Sequence, residues 1–370
     1  MEAGQSVSLE DLKAWYKQPM HDLMNRADRA RQMHFGQKVT YSRNYSLAVS
    51  NHCRNNCGYC AFRARTPGVS PKLLMPVDIE AGLTRARDSR CWEVLFITGE
   101  GGSTDPEIDA FLKTSGWKCI EEYYSWALSA AISKGLLPHS NFGLVSRAWL
   151  AHFKQLNASM GLMLETVSTS LCDRGMPHEF SPGKHPSLRL QFLEWAGELQ
   201  IPITTGLLIG VGETVSSRLE SLLAIWHLHQ RFGHIQEVIL QNFVPHQGTP
   251  LENYPPPPTE DLLRLVAVSR LLFGKSVSIQ VAPNLNPASI LDLVHAGAND
   301  LGGISPVTID HVNPKEPWPS AEHLAKILSE DGIDLVPRLP VYDAFISDKF
   351  LSPAILRNIT RIQESMRDGF

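Results

Sequence analysis

The sequence has no apolar run near the roughly 18 residues needed to span a bilayer. Its opening, MEAGQSVSLEDLKAWYKQ, has no basic start followed by an apolar stretch. Charge of one sign is never concentrated: 34 basic and 38 acidic residues are interleaved, giving a formal net charge of -4. A surface that tracks nucleic-acid phosphates is therefore not expected, and neither is a membrane partner. Cysteine is also scarce. Six in 370 residues are too few for a disulfide scaffold. These absences predict a soluble cytoplasmic protein whose clustered cysteines serve metal or redox chemistry. Cys91, Cys119 and Cys172 stand singly in apolar surroundings and read as small buried hydrophobes. Low complexity is limited to the PPPP run at 255–258, which reads as a stiff loop before a helix.

What the sequence does have is alternation. Short apolar or β-branched runs occur at 45–50, 93–99, 136–141, 158–164, 203–210, 236–243, 277–283 and 300–305, separated by longer helical patterns. TEDLLRLVAVSRLLFG carries an apolar stripe and stops at Gly274; SSRLESLLAIWHLHQRFG reads as a helix with a Ser N-cap and a stop at Gly233. Eight strand–helix repeats without a linker or a break in composition predict one α/β domain, a single (β/α)8 TIM-type barrel. The expected partition is an N-terminal helical extension over 1–40, the barrel over 41–335 and a C-terminal extension over 336–370. The first extension opens on a Ser8–Asp11 capping pattern, and the last ends in a helix with Ser352 as N-cap and Pro353 at its first position.

Half of the cysteines fall in NHCRNNCGYCAF, residues 51–62, just past the first predicted strand and so on the barrel face where active sites gather. The spacing of Cys53, Cys57 and Cys60 is C-x3-C-x2-C, and Gly58 is expected to let the chain turn so that the thiolates converge. Soft thiolates select zinc or an iron–sulfur cluster. A closed zinc site would need a fourth ligand, and the adjacent His52 is poorly placed because neighbours on an extended segment point opposite ways. A [4Fe-4S] cluster on three thiolates instead leaves one iron open to a cosubstrate.

This loop, with the aromatic Tyr59 before its last cysteine, resembles that of the radical S-adenosylmethionine (SAM) enzymes. The resemblance implies that the open iron binds SAM and that reductive cleavage yields a 5'-deoxyadenosyl radical. It also implies cofactor contacts. Gly99 and Glu100 in FITGEGG would meet the methionine amino group, Glu165 in LMLET the ribose, and Arg189 the carboxylate, as in the biotin synthase-like branch. Gly206, Gly210 and Gly212 in GLLIGVGET would let backbone lie against adenine, and Tyr59 would wall the pocket. Each has a plainer competitor: a glycine turn, a helix cap, a surface arginine or a core tyrosine.

From Tyr41 to Pro319 the resemblance is closest to a deazaflavin-forming branch. It implies a substrate made by a partner radical SAM enzyme from tyrosine and a ribityl-diaminouracil, 5-amino-5-(4-hydroxybenzyl)-6-(D-ribitylimino)-5,6-dihydrouracil. Hydrogen abstraction, ring closure and loss of ammonia would follow, with an external electron donor. The polar substrate calls for amide and carboxylate groups on the barrel rim. His139, Asn141, Gln241, Asn242, Gln280, Asn284, Asp300 and Thr308 are candidates, with His311 or Asp300 as proton acceptor; each also suits a capped loop. Competing readings are the tyrosine-attaching partner, a menaquinone-pathway radical SAM enzyme, an iron–sulfur sensor or scaffold, and a zinc-stapled barrel.

Overall fold

A computed structural model describes residues 7–64, 66–101 and 105–367. Eight strands form a closed parallel barrel: β1 (Lys38–Ser50), β2 (Glu93–Thr98), β3 (Leu137–Asn141), β4 (Ser159–Gly161), β5 (Ile203–Ile209), β6 (Ile235–Asn242), β7 (Ser278–Val281) and β8 (Asp300–Ile304). Closure comes from β1, which pairs with β2 along Asn44–Ser50 and with β8 along Thr40–Arg43. Every strand is followed by helix, from Pro76–Asp88 after β1 to Ala321–Ser329 after β8. Parallel neighbours need such crossovers.

Alternation along the strands sorts the side chains. On β2, Val94 and Phe96 are fully buried under the helices, whereas Glu93, Leu95 and Ile97 face the barrel interior and line its cavity. On β6, Val238 and Leu240 point outward, and Glu237, Ile239 and Gln241 point inward. The apolar core thus lies between strands and helices, and the inside of the barrel mixes apolar side chains such as Leu95, Ile97 and Ile239 with polar ones such as Glu93, Glu237 and Gln241.

A ninth strand, β9 (Asp334–Arg338), pairs in parallel with Lys38–Ser42, below the part of β1 that meets β2. It was not foreseen, because its half-exposed pattern and Pro337 are those of an edge strand. The sheet therefore continues past residue 335. Among the described residues no helix is long and apolar enough to cross a membrane.

Local details correct several readings. The N-terminal segment is two helices, Leu9–Tyr16 and Met20–Phe35, because Pro19 cannot continue the first. The Ser8–Asp11 capping box is present, with the Asp11 amide donating to Ser8 Oγ at 3.2 Å. The helix Val215–Phe232 is capped by Thr214 rather than by a serine, and it ends on Gly233 at φ 63°. Ser352 precedes the helix Pro353–Arg367, whose Ile355 amide donates to its hydroxyl at 3.5 Å. Cys91 is buried, but Cys119 and Cys172 are only half-buried.

Candidate active site

Cys53, Cys57 and Cys60 lie beyond the C-terminal end of β1, are free thiols, and line one cavity of about 410 Å3 that runs down the barrel axis to Arg338 and Pro340. The loop is held from several sides. The Glu100 amide donates to Cys53 Sγ at 3.2 Å, the Arg54 amide donates to the Glu100 carbonyl at 2.8 Å, and the Gly58 amide donates to the Pro177 carbonyl at 2.8 Å. Gly58 does not have a positive φ; its lack of a side chain lets Pro177 approach, and an added Cβ would stand 3.3 Å from the Pro177 Cα. His52 turns away from the thiols, with Nδ1 2.9 Å from Asp105 and Nε2 3.3 Å from Glu107.

These three are the one trio of His, Cys, Asp or Glu among the described residues whose ligand atoms all come within 4.8 Å of one another. The three thiols are therefore more widely spread than a single zinc ion requires, since thiolates about 2.3 Å from one tetrahedral ion stand roughly 4 Å apart. Burial pushes the thiols of Cys53 and Cys60 up, the latter to about 11, so binding a cationic centre releases protons.

The next shell carries charge. Arg189 is buried; its Nη1 donates to the Met163 carbonyl, its Nη2 is 3.7 Å from Glu100 Oε2, and its Nε has no partner. Glu100 accepts from Arg54 Nε at 3.0 Å and from the Leu144 amide at 3.1 Å. Burial pushes the Glu100 carboxyl up, but Arg189 and these donors reverse that and hold it ionised. Glu165 has the left-handed φ of 67°, its amide donates to the Gly206 carbonyl at 3.0 Å, and its carboxylate pairs with Lys184. Burial raises the Glu165 carboxyl too, and Lys184 and Arg189 outweigh it. Tyr59 donates or accepts a 2.9 Å hydrogen bond with His178 Nε2 and packs near Leu208, Val211 and Phe243.

The amino-acid sequence agrees with this geometry. Residues 47–225 match the Radical SAM superfamily. The 7,8-didemethyl-8-hydroxy-5-deazariboflavin synthase of Methanothermobacter thermautotrophicus is 44% identical over 88% of this chain and 98% of that protein. The enzyme of the same name from Methanosarcina barkeri is 43% identical over 90% of this chain and 99% of its own length. The chain belongs to this family of radical SAM enzymes. The family product, a deazaflavin, is abbreviated FO below. Methylornithine synthase (PylB) shares the fold, with a TM-score of 0.71 at 20% identity over 90% of this chain and 95% of its own. So does the FeFe-hydrogenase maturase HydG from Carboxydothermus hydrogenoformans, with a TM-score of 0.72 at 19% identity over 99% of this chain and 83% of its own.

As a member of the FO synthase family, the chain is an enzyme for which a [4Fe-4S] cluster and SAM are the implied cofactors. Its residues fit them: three free thiols lining one cavity, not gathered within 4.8 Å as for a single ion, and beside them a buried guanidinium with an unused Nε.

Several expected contacts lie elsewhere. Gly206 serves the barrel wall, since an added Cβ would come 2.1 Å from the Ile239 carbonyl oxygen; Gly210 makes room for Pro257 of the proline run, 2.6 Å from such a Cβ. Neither lines the cavity. Gly210 is instead held by Glu213, which accepts from its amide at 2.7 Å and from Arg218 Nε at 2.7 Å. Asp300 begins β8 and so sits at the opposite end of the barrel from the cysteines. Its carboxylate is occupied by Arg338, Thr40 and the Gly302 amide, outside the cavity lining. That corrects its reading as a proton acceptor. Thr308 is a loop cap, donating to Ser305 Oγ at 2.6 Å and accepting from the Ser46 amide at 3.2 Å.

His139, Asn141, Gln241, Asn242, Gln280, Asn284 and His311 all line the cavity. Several are partly engaged: His139 Nδ1 lies 2.7 Å from Ser159 Oγ, Asn242 accepts from Asn286 at 2.8 Å, and Asn284 donates to Asp310 at 3.0 Å while its Oδ1 stays unpartnered. Lys184, Asn55, Phe62 and Arg63 also line it and were not anticipated, since they lie in loops without periodicity.

Proposed function

We propose that the protein forms FO from the tyrosine-derived ribityl adduct, acting as an ammonia-releasing lyase in a reducing cytoplasm. The carrying observation is a barrel hollowed along its axis, with three spread thiols at one end and polar groups below them. When bound, the cluster and SAM supply a 5'-deoxyadenosyl radical that removes a benzylic hydrogen from the substrate. Ring closure then joins an aryl carbon to the ribityl-bearing nitrogen, ammonia leaves, and the remaining proton and electron would pass to solvent and back to the cluster.

The protein's own residues have four tasks. Cys53, Cys57 and Cys60 hold the cluster. Arg189 offers its free Nε to the SAM carboxylate, a fork-shaped donor suited to a planar anion. Glu165 stands at the end of the β4 segment as a ribose hydroxyl acceptor, oriented by Lys184. Gly99 brings the end of β2 against the cysteine loop, with Tyr59 as a wall of the same pocket. Among the side chains at the mouth, His311 is kept neutral by burial, which lowers its basicity, and it is the proton acceptor for ring closure. The substrate comes from a partner radical SAM enzyme, and electrons from an external donor.

The test is anaerobic. Reconstituted, reduced enzyme with SAM and the adduct should yield the fluorescent deazaflavin together with 5'-deoxyadenosine. 5'-Deoxyadenosine without deazaflavin overturns the substrate assignment; a colourless zinc protein overturns the cluster.

A further inference from the structure

The inward side chains of a (β/α)8 barrel are mostly branched and apolar, and they fill the axis in layers. Here the lower inward side chains include Asn44, Glu93, His139, Glu237, Gln280 and Arg338, all lining the cavity that opens at the cysteine loop. Glu93 lies four residues below Ile97 on β2, about 13 Å at the usual rise of a strand.

This floor has hydrogen-bonding capacity to spare. Asn44 is 1% exposed and its Oδ1 has no partner. The Ser159 hydroxyl donates to the Pro340 carbonyl at 2.7 Å, so its oxygen accepts from His139 Nδ1 at 2.7 Å. His139 Nε2 faces the Asn141 side chain beside Gly161, where an added Cβ would come 3.0 Å from it. Burial lowers the His139 pKa to about 4 and keeps the ring neutral.

The charge balance is one-sided. Three buried carboxyl groups, Glu93, Glu237 and Asp300, share one guanidinium, Arg338, which donates to Glu237 and Asp300 at 2.8 Å each. Glu93 senses Arg338 without pairing with it, and burial pushes its carboxyl up. Glu237 is further held by the Tyr342 hydroxyl at 2.7 Å and by the Thr204 hydroxyl at 3.1 Å. Such a layer offers acceptor oxygens and three carboxyl groups around one cation that is already paired. Neutral hydroxyl groups, which donate and accept, suit it. A phosphate would meet carboxylates with no counter-charge.

We propose that this floor seats the unphosphorylated polyol tail of the substrate, so that the enzyme accepts the ribityl adduct and rejects its phosphate ester. The inference rests on the FO-forming function proposed above. It orients the substrate tail-down, with the hydroxybenzyl and uracil rings in the upper layers beside the cysteine loop. It also requires that a phosphate-removing reaction precede this step wherever the tail is made phosphorylated.

Reduced, cluster-loaded enzyme with SAM is given three adducts: one with a free ribityl tail, its 5'-phosphate, and one with a methyl group in place of the tail. Deazaflavin fluorescence gives kcat/KM for each. The ribityl adduct should exceed its phosphate by on the order of 100-fold, which at about 1.4 kcal/mol per tenfold is about 2.8 kcal/mol of like-charge penalty. Glu93→Gln should shrink that ratio and raise KM for the ribityl adduct while leaving KM for the methyl adduct in place. Equal turnover of ribityl and phosphate adducts by the unaltered enzyme overturns the inference without any variant, and so does a Glu93→Gln effect shared by ribityl and methyl adducts. SAM cleavage with no deazaflavin from any adduct overturns the proposed function and this inference with it; deazaflavin from all three at equal efficiency overturns the inference alone.

Discussion

Gly99→Ala isolates the contact between the second strand and the cysteine loop. A Cβ on Gly99 would stand 2.1 Å from the His52 carbonyl oxygen and 2.8 Å from Cys53 Cβ, where real Cβ contacts essentially never fall under 3.0 Å. One backbone must therefore yield by about 0.9 Å, the difference between those two limits. Neither can yield freely. The Gly99 amide donates to the Ser50 carbonyl at 2.7 Å, and the Glu100 amide donates to Cys53 Sγ at 3.2 Å. Strain of this kind costs about 1–3 kcal/mol, small enough for the barrel to survive. The site is less tolerant, because a misplacement of about 1 Å can lower a rate by about 100-fold. The variant should fold, as judged by circular dichroism, but carry less iron per chain and cleave SAM on the order of 100-fold more slowly. Gly206→Ala is the control, with the same 2.1 Å conflict but against the Ile239 carbonyl in the barrel wall. It should lower the melting temperature while its folded fraction still binds iron. A Gly99→Ala enzyme with full iron and unchanged SAM cleavage would refute the argument.

Cys57→Ala should abolish cluster assembly and SAM cleavage with little change in melting temperature, because the loop lies outside the core; iron analysis and 5'-deoxyadenosine assay check it. Arg189→Lys keeps the charge but loses the fork, and should raise KM for SAM by about 10- to 100-fold, the worth of one hydrogen bond to a charged group. Acid should destabilise the fold early. Burial depresses His139, His178 and His229 to about 4 and His234 to about 3, against an ordinary 6.5. The unfolded chain therefore takes up protons first as pH falls through 6.5, and stability present above that value is lost on the way to about 4. Each group contributes about 2 kcal/mol of loss between pH 7 and pH 5. Urea midpoints should fall over that interval; midpoints that stay level until the carboxylates titrate would contradict it.

What could be read from the sequence depended on where the information is held. The cysteine spacing is local, so the loop declared itself without a fold. The eight strands were legible because their outward halves, such as Val94 with Phe96 and Val238 with Leu240, are fully apolar. Strand direction, properly applied, would also have placed Asp300: a residue that opens a parallel strand lies at the end opposite the active rim. Thr308 was misplaced for a related reason, since a polar residue four positions past a strand more often closes a turn than reaches a ligand. Lys184 and His178 gave no signal, because the stretch between β4 and the helix Pro186–Glu198 is a series of short turns without periodicity that sets them beside Glu165 and Tyr59.

The floor of the barrel was the least legible part, and its position explains why. Arg338 comes from β9, whose pairing with Lys38–Ser42 joins residues some 300 positions apart, and no local pattern announces it. Yet Arg338 donates to Asp300 and to Glu237, tying β8 and β6 to the closing segment. An apolar plug would have closed the barrel more simply, since a buried ion pair is weak evidence for stability and can often be replaced by packed hydrophobes without loss. A polar floor beneath a hollow axis therefore asks for a reason beyond folding. The cavity supplies one, because the same groups that close the barrel line the deepest point a ligand entering past the thiols can reach.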